Sequence, residues 1–283
     1  MQILENLASI ANDYDAVLCD VWGVIHNGRR VFPEAAAALQ RFRASGKHVV
    51  LITNAPKPRD PIPGQLDRIG FPRDGWDRIV TSGDAIRMEL SKRSPGPMYK
   101  IGPPTDAALW DGLGLALSPL SEAKFIGISG LNDDARESPE DYADTLRAAK
   151  ARELEMLCAN PDIVVRVGEH LVWCAGAIAR DYAALGGAVV MAGKPHPPIY
   201  ALALQELAGV SCRSIDRRRI LCIGDGVGTD VAGAAREGLD CLFIASGMHG
   251  ESLMQGGALS PEKVEAALAA EGVEARFAAP FLA

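Results

Sequence analysis

Four short stretches hold the residue types from which a reaction centre can be assembled. They are "LCDVWGV" around Asp20, "LITNAP" around Thr53 and Asn54, "GKPHPPIY" around Lys194, and "IGDGVGTDVAGA" around Asp225 and Asp230. In each, an apolar run stops at a polar residue. A carboxylate at the end of a buried run is costly unless something compensates it, so Asp20 and Asp225 call for a partner. Brought together they form an oxygen-rich pair suited to Mg²⁺, which takes a few carboxylates along with water and phosphate oxygens. A cation also lets two like charges tolerate each other. Thr53 offers a hydroxyl and, with Asn54, turn amides for anionic oxygens, while Lys194 supplies a fixed positive charge. A carboxylate nucleophile, a divalent cation, a hydroxyl and a lysine are the parts of phosphoryl transfer through an aspartyl-phosphate.

These residues meet only if the chain places them on one edge. Short apolar runs alternate with helical patterns, the signature of a parallel α/β sheet. The strand candidates are "AVLCD", "HVVLITN", "DRIVTSG", "AVVMAGK", "RILCIGD" and "DCLFIASG", apolar enough to be covered on both faces. Between the first two, Pro33 and Glu34 suit the first turn of a helix and Gly46 its stop; "PPIYALALQELAG" and "TDVAGAAREG" read as later helices. In an open parallel sheet the C-terminal strand ends share the edge where ligands bind, which is where Asp20, Thr53, Lys194 and Asp225 fall. The middle of the chain has its own strands ("KFIGISG", "EMLCANPD", "DIVVRVG") and a helix, "PEDYADTLRAAKARE", behind a linker-like "SPGPMYKIGPP". This divides the chain into a core of residues 1–95 and 181–283 and an inserted domain of residues 96–180.

At 283 residues, with 48% apolar and 23% charged residues, the chain has the composition of a globular protein of one large or two medium domains. A net charge of -7 argues against nucleic acid or an anionic membrane as partner. No apolar run approaches the roughly 18 residues of a membrane span, and the N-terminus lacks a basic segment followed by an apolar one. The 6 cysteines, at 19, 158, 174, 212, 222 and 241, show no CxxC spacing, and they read as free thiols of a reducing, cytoplasmic compartment.

In this order the four stretches resemble the four motifs of the haloacid dehalogenase-like (HAD) hydrolases. "DVWGVIHNG", the "TN" ending, "GKPHPPIY" and the large insertion resemble subclass IIA, as do "CANPD" and "GAIARDYAALGG". That branch includes sugar-phosphate, p-nitrophenyl phosphate and pyridoxal phosphate phosphatases. The resemblance implies a Rossmann-like core with a parallel sheet, an α/β cap, Mg²⁺ as cofactor and a small phosphorylated metabolite as substrate. It leaves monomer and homodimer open. By position it makes Asp20 nucleophile and metal ligand, Thr53 the phosphate binder, Lys194 the charge stabiliser, Asp225 a metal ligand and Asp230 an acid supporting the metal's ligands.

Position 22 departs from the family. Phosphatases of this kind carry a second Asp there, which protonates the leaving oxygen and then deprotonates the attacking water. Indole is donor-only and no useful acid. The family residue also binds the metal through its backbone carbonyl, which Trp22 keeps. Lost acid–base catalysis is worth about 10² to 10⁴ in rate, and the loss falls on alkyl phosphates more than on aryl or acyl phosphates. His26 and His196 are the titratable groups nearest the motifs, and His26 also fits a loop role. Trp22 itself equally suits filling apolar space beneath the cap. In the inserted domain, "CANPD" either aims Asn160 or Asp162 at substrate or is only a turn; Arg136 and Arg166 are candidates for a second anionic group or plain surface residues. Two other readings stand beside the phosphatase. One is dehalogenase or phosphonate chemistry, whose family members also lack the second Asp but carry Tyr or Ala there. The other is a phosphometabolite-binding regulatory protein without turnover.

Overall fold

The computed structural model describes residues 1–167, 170–247, 250–255 and 258–283. Among them, strands β1 (Gln2–Ile3), β2 (Ala16–Cys19), β3 (His48–Thr53) and β4 (Arg78–Thr81) come first. A second group follows: β5 (Met98–Ile101), β6 (Phe125–Ile128), β7 (Glu155–Cys158), β8 (Val164–Val167), β9 (His170–Trp173) and β10 (Val189–Met191). The chain then adds β11 (Ile220–Gly224), β12 (Asp240–Ile244), the pair β13 (Met254–Gln255) and β14 (Ala258–Leu259), and β15 (Phe277–Ala279).

Seven strands pair in the order β1-β15-β12-β11-β2-β3-β4, all in parallel. Alternating side chains of the central strands feed two cores. Leu18, Val50 and Ile52 pack with Ile199, Tyr200 and Ala203 of the helix Pro197–Ser211. Val17, Val49 and Leu51 face the other way, toward Ala35, Leu39 and Phe42 of the helix Pro33–Ala44. Burial on both faces accounts for strands that read as continuous apolar runs. The chain leaves β2 toward β3 on one side and returns through β11 on the other. The reversal of strand order therefore lies between β2 and β11, where Cys19 stands opposite Ile223. That is the crevice in which open α/β sheets take ligands, and Asp20 and Asp225 each follow one of its two strands.

A separate four-stranded parallel sheet has the order β10-β7-β6-β5, with the antiparallel pair β8–β9 beside it in sequence. Two features depart from the sequence reading. "AVVMAGK" was expected in the larger sheet, yet Val190 lies opposite Leu157 of β7, in the smaller one. A run of Val-Val-Met suits either sheet, since periodicity does not encode the pairing partner. The linker-like "SPGPMYKIGPP" contains β5, whose four residues pair with β6; the flanking prolines and glycines masked a short strand. The two sheets share apolar contacts. Ile86 and Leu90, from the helix Ser82–Ser91, join Trp110, Phe125 and Leu157 in one cluster. No helix among the described residues is long and apolar enough to cross a membrane, and the six cysteines are unpaired.

Candidate active site

Asp20, Thr53 and Asp225 sit just at or beyond the C-terminal ends of β2, β3 and β11, and Lys194 follows β10. All four are buried, as are Asn54 and Asp230. The Lys194 Nζ donates to Asp20 Oδ1 at 2.6 Å and to Asp230 Oδ1 at 2.7 Å. Oxygens of Asp20, Asp225 and Asp230 all lie within 4.8 Å of one another. Segments far apart in the chain thus meet in one place.

Local structure fixes each acid. Gly224 and Gly226 leave room for Asp230, whose Oδ2 accepts from the Gly226 N–H at 3.1 Å. Asp230 lies in a π-turn, Val227–Val231, that runs into the helix Ala232–Glu237; such turns re-aim side chains near sites. Gly23 has φ +77°, and a Cβ there would collide with the Asp225 carboxylate. Gly23→Ala is therefore expected to cost about 1 to 3 kcal/mol of stability through backbone strain and the collision. A urea titration of the two proteins checks it, and an unchanged midpoint would refute the contact.

The electrostatics follow from the burial. Desolvation, with Asp230 and Asp225 adding repulsion, pushes the Asp20 carboxyl well above the usual range against the pull of Lys194. Burial disfavours the Lys194 charge, but the Asp20 and Asp230 carboxylates override it and raise its pKa. Three acidic side chains crowd around one ammonium in a buried space. A divalent cation among these hard oxygen donors would relieve their mutual repulsion, so the residues fit Mg²⁺.

Thr53 lines the same cavity of about 660 Å³ as Asp20, Lys194 and Asp225, and its Oγ1 accepts from the Ala55 N–H at 3.3 Å. The side chain of Asn54 serves differently from a phosphate contact. Its Oδ1 accepts from the Lys194 N–H at 2.7 Å, and its Nδ2 donates to Lys194 O at 3.1 Å and to Asp162 Oδ1 at 2.8 Å. The amide thereby holds Lys194 and Asp162 in place. Asn160 Oδ1 accepts from the Asp162 N–H at 3.0 Å, the turn geometry that Asn-Pro-Asp favours, while both residues line the cavity.

Trp22 is partly buried and lines this cavity and a smaller one beside it. Its ring meets His26 edge-on at 5.0 Å, and Gly28 is needed because a Cβ there would lie 2.5 Å from the indole. His26 Nδ1 accepts from the Gly28 N–H at 2.9 Å, and burial pushes the imidazole down to about 4; it is a loop-fixing group. His196 lines the cavity, its pKa lowered by burial and by Arg236. Arg166 lines the cavity as well, whereas Arg136 is exposed and pairs with Asp133 at 3.6 Å, away from the site. Asp162, left between substrate contact and turn in the sequence, lines the cavity; the signal available was its place after an apolar strand, shared with Asp20 and Asp225.

Comparisons with known proteins converge on one group. Residues 17–116 match the family described as haloacid dehalogenase-like hydrolase, and residues 191–270 match a related HAD-hydrolase-like family. A crystal structure of a hydrolase of the haloacid dehalogenase-like family from Brucella suis 1330 is 42% identical, with a TM-score of 0.89 over 99% of this chain and 100% of that one. D-glycerol 3-phosphate phosphatase of Mycobacterium tuberculosis is 26% identical over 86% of this chain. Chronophin of Rattus norvegicus is 24% identical over 86% of it. The matched part spans 66% of the mycobacterial protein and 80% of the rat one.

Proposed function

The chain belongs to the haloacid dehalogenase-like hydrolase family, in its subclass IIA, and from that premise we propose that it is a Mg²⁺-dependent phosphatase acting on a small phosphorylated metabolite through a phosphorylated Asp20. The observation that carries the reading is the Lys194 ammonium bridging Asp20 and Asp230, with Asp225 in reach, at the crevice between β2 and β11. The phosphatase names of its relatives point the same way.

In this reading Asp20, Asp225 and the Trp22 backbone carbonyl hold the cation, and Asp230 supports them. When bound, the cation neutralises the crowded acids and polarises phosphoryl oxygens. The chain's own groups do the rest. Thr53 Oγ1 and the Asn54 N–H bind the phosphoryl group, and Lys194 offsets its negative charge while holding Asp20 aimed and pulling it toward the ionised form. Asp20 attacks phosphorus, the ester oxygen leaves, and water then cleaves the phosphorylated carboxylate. The unit built on the four-stranded sheet, residues 96–180 with β10, acts as a cap. It closes the cavity with Ile163, Val164 and Arg166 and excludes water during transfer.

Trp22 leaves position 22 without an acid, so an ester with a basic leaving oxygen needs its proton from another group of the cavity, while one whose oxygen leaves as a stable anion needs none. A panel of phosphate esters graded by leaving-group pKa, assayed with and without Mg²⁺, tests the whole reading. Turnover is expected only with the cation, and the graded series reads how far a proton is delivered to the leaving oxygen; activity indifferent to the cation would refute it.

A further inference from the structure

Position 22 carries no carboxyl group, and burial pushes both neighbouring histidines toward the neutral form: His26, whose Nδ1 also accepts from the Gly28 N–H, down to about 4, and His196 in the same direction with Arg236 adding to it. The cavity does present one more carboxyl group, contributed from the smaller unit. We infer that Asp162, held by Asn54 beside Lys194, is the general acid and base of this enzyme, in the role that Trp22 cannot fill. The inference rests on the phosphatase reading above.

The geometry is specific. Asp162 lies beyond the end of β7 and lines the cavity together with Asp20, Thr53 and Lys194. Its Oδ1 accepts from Asn54 Nδ2 at 2.8 Å, and that same amide clasps the Lys194 backbone at 2.7 and 3.1 Å. One side chain therefore ties Asp162 to the lysine that touches Asp20. Among the described residues no hydrogen bond reaches the second Asp162 oxygen, although it belongs to a residue of the cavity wall. The backbone beneath is rigid: the Asp162 N–H donates to Asn160 Oδ1 at 3.0 Å and its carbonyl accepts from the Gly176 N–H at 3.1 Å. Gly176 itself has no room for a Cβ against the carbonyls of Pro161 and Asp162. A group so fixed meets the positional demand of proton transfer. Its surroundings suit a proton donor. Burial raises the carboxyl's pKa, while the Asn54 bond and Lys194 draw it part of the way back and Asp230 adds repulsion.

The reaction then balances. An Asp20 oxygen forms the bond to phosphorus as the ester P–O bond breaks, and its electron pair stays on the departing oxygen. The Asp162 carboxyl gives its proton to that oxygen, releasing an alcohol and leaving Asp162 as carboxylate. The carboxylate takes a proton from the water that attacks phosphorus. Asp20 leaves as carboxylate, inorganic phosphate is released, and Asp162 is protonated again.

Asp162→Asn tests this, because the amide keeps an oxygen to accept from Asn54 but has no proton to give. The readout is kcat/KM, which reports transfer to Asp20, for propyl phosphate against p-nitrophenyl phosphate in Mg²⁺. A loss of about 10²-fold on propyl phosphate with less than about tenfold on p-nitrophenyl phosphate is expected. Adding Trp22→Asp to Asp162→Asn is expected to restore propyl phosphate turnover. Equal losses on both esters, or no recovery in the double variant, would make Asp162 only a positioning residue and overturn the inference. Circular dichroism melts separate either result from misfolding. Failure of the wild-type protein to hydrolyse p-nitrophenyl phosphate would overturn the phosphatase reading itself, and this inference with it.

Discussion

Replacing Asp20 by Asn is expected to lower phosphate-ester turnover by about 10⁴-fold or more. The amide has nearly the shape of the carboxylate, and its oxygen is able to accept the bond that Lys194 Nζ now makes at 2.6 Å. What disappears is the charged oxygen that bonds to phosphorus. The fold should survive, because losing one of the clustered acids relieves repulsion from Asp230 and Asp225 even as it weakens the pairing with Lys194. The measurement is steady-state release of phosphate from p-nitrophenyl phosphate by wild type and variant, with thermal melts of both. Turnover within tenfold of wild type would remove Asp20 from the chemistry.

The second large effect is at Lys194, where Met is the informative replacement because it keeps the stem and removes the charge. Lys194 is 2% exposed and bridges Asp20 and Asp230 at 2.6 and 2.7 Å. Removing one partner of a buried ion pair costs about 3 to 5 kcal/mol, because the other charge is left uncompensated. Part of that loss is recovered here, since the stranded carboxyls take up protons. Activity is expected to fall by about 10² to 10³-fold, the usual size of a lost charge-stabilising donor. Stability from a urea titration and kcat from the same preparation check both halves. A variant as stable and as active as wild type would mean that the ammonium neither balances the acids nor meets substrate.

Much of this site is legible in the sequence because the residues that matter interrupt apolar runs. Asp20 and Asp225 end strands whose Val, Ile and Leu content announces burial on both faces, and a parallel sheet brings such ends to one edge. Lys194 is legible for the same reason, even though its strand belongs to the other sheet. What the sequence does not carry is pairing and reach. Val189–Met191 reads equally well in either sheet, and only its register with Met156–Cys158 places it. The strand Met98–Ile101 hides among prolines and glycines that elsewhere signal a linker. The turn at Asn54 suggests an anion binder, because a side-chain amide gives no hint that its partners lie 108 and 140 residues away. Asp162 is underrated by the same blindness: its contact with Asn54 exists only once the smaller unit is docked. His26 goes the other way, a titratable group near the nucleophile that the loop uses for its own closure.

The central claim turns on where phosphorus goes during turnover. Acid quench of the enzyme while it hydrolyses radiolabelled p-nitrophenyl phosphate in Mg²⁺, followed by peptide mapping, reads this directly. Label is expected on the peptide carrying Asp20 and is expected to be absent from the Asp20→Asn protein. Label on another residue, or rapid phosphate release by the Asp20→Asn protein, would contradict a phosphorylated Asp20.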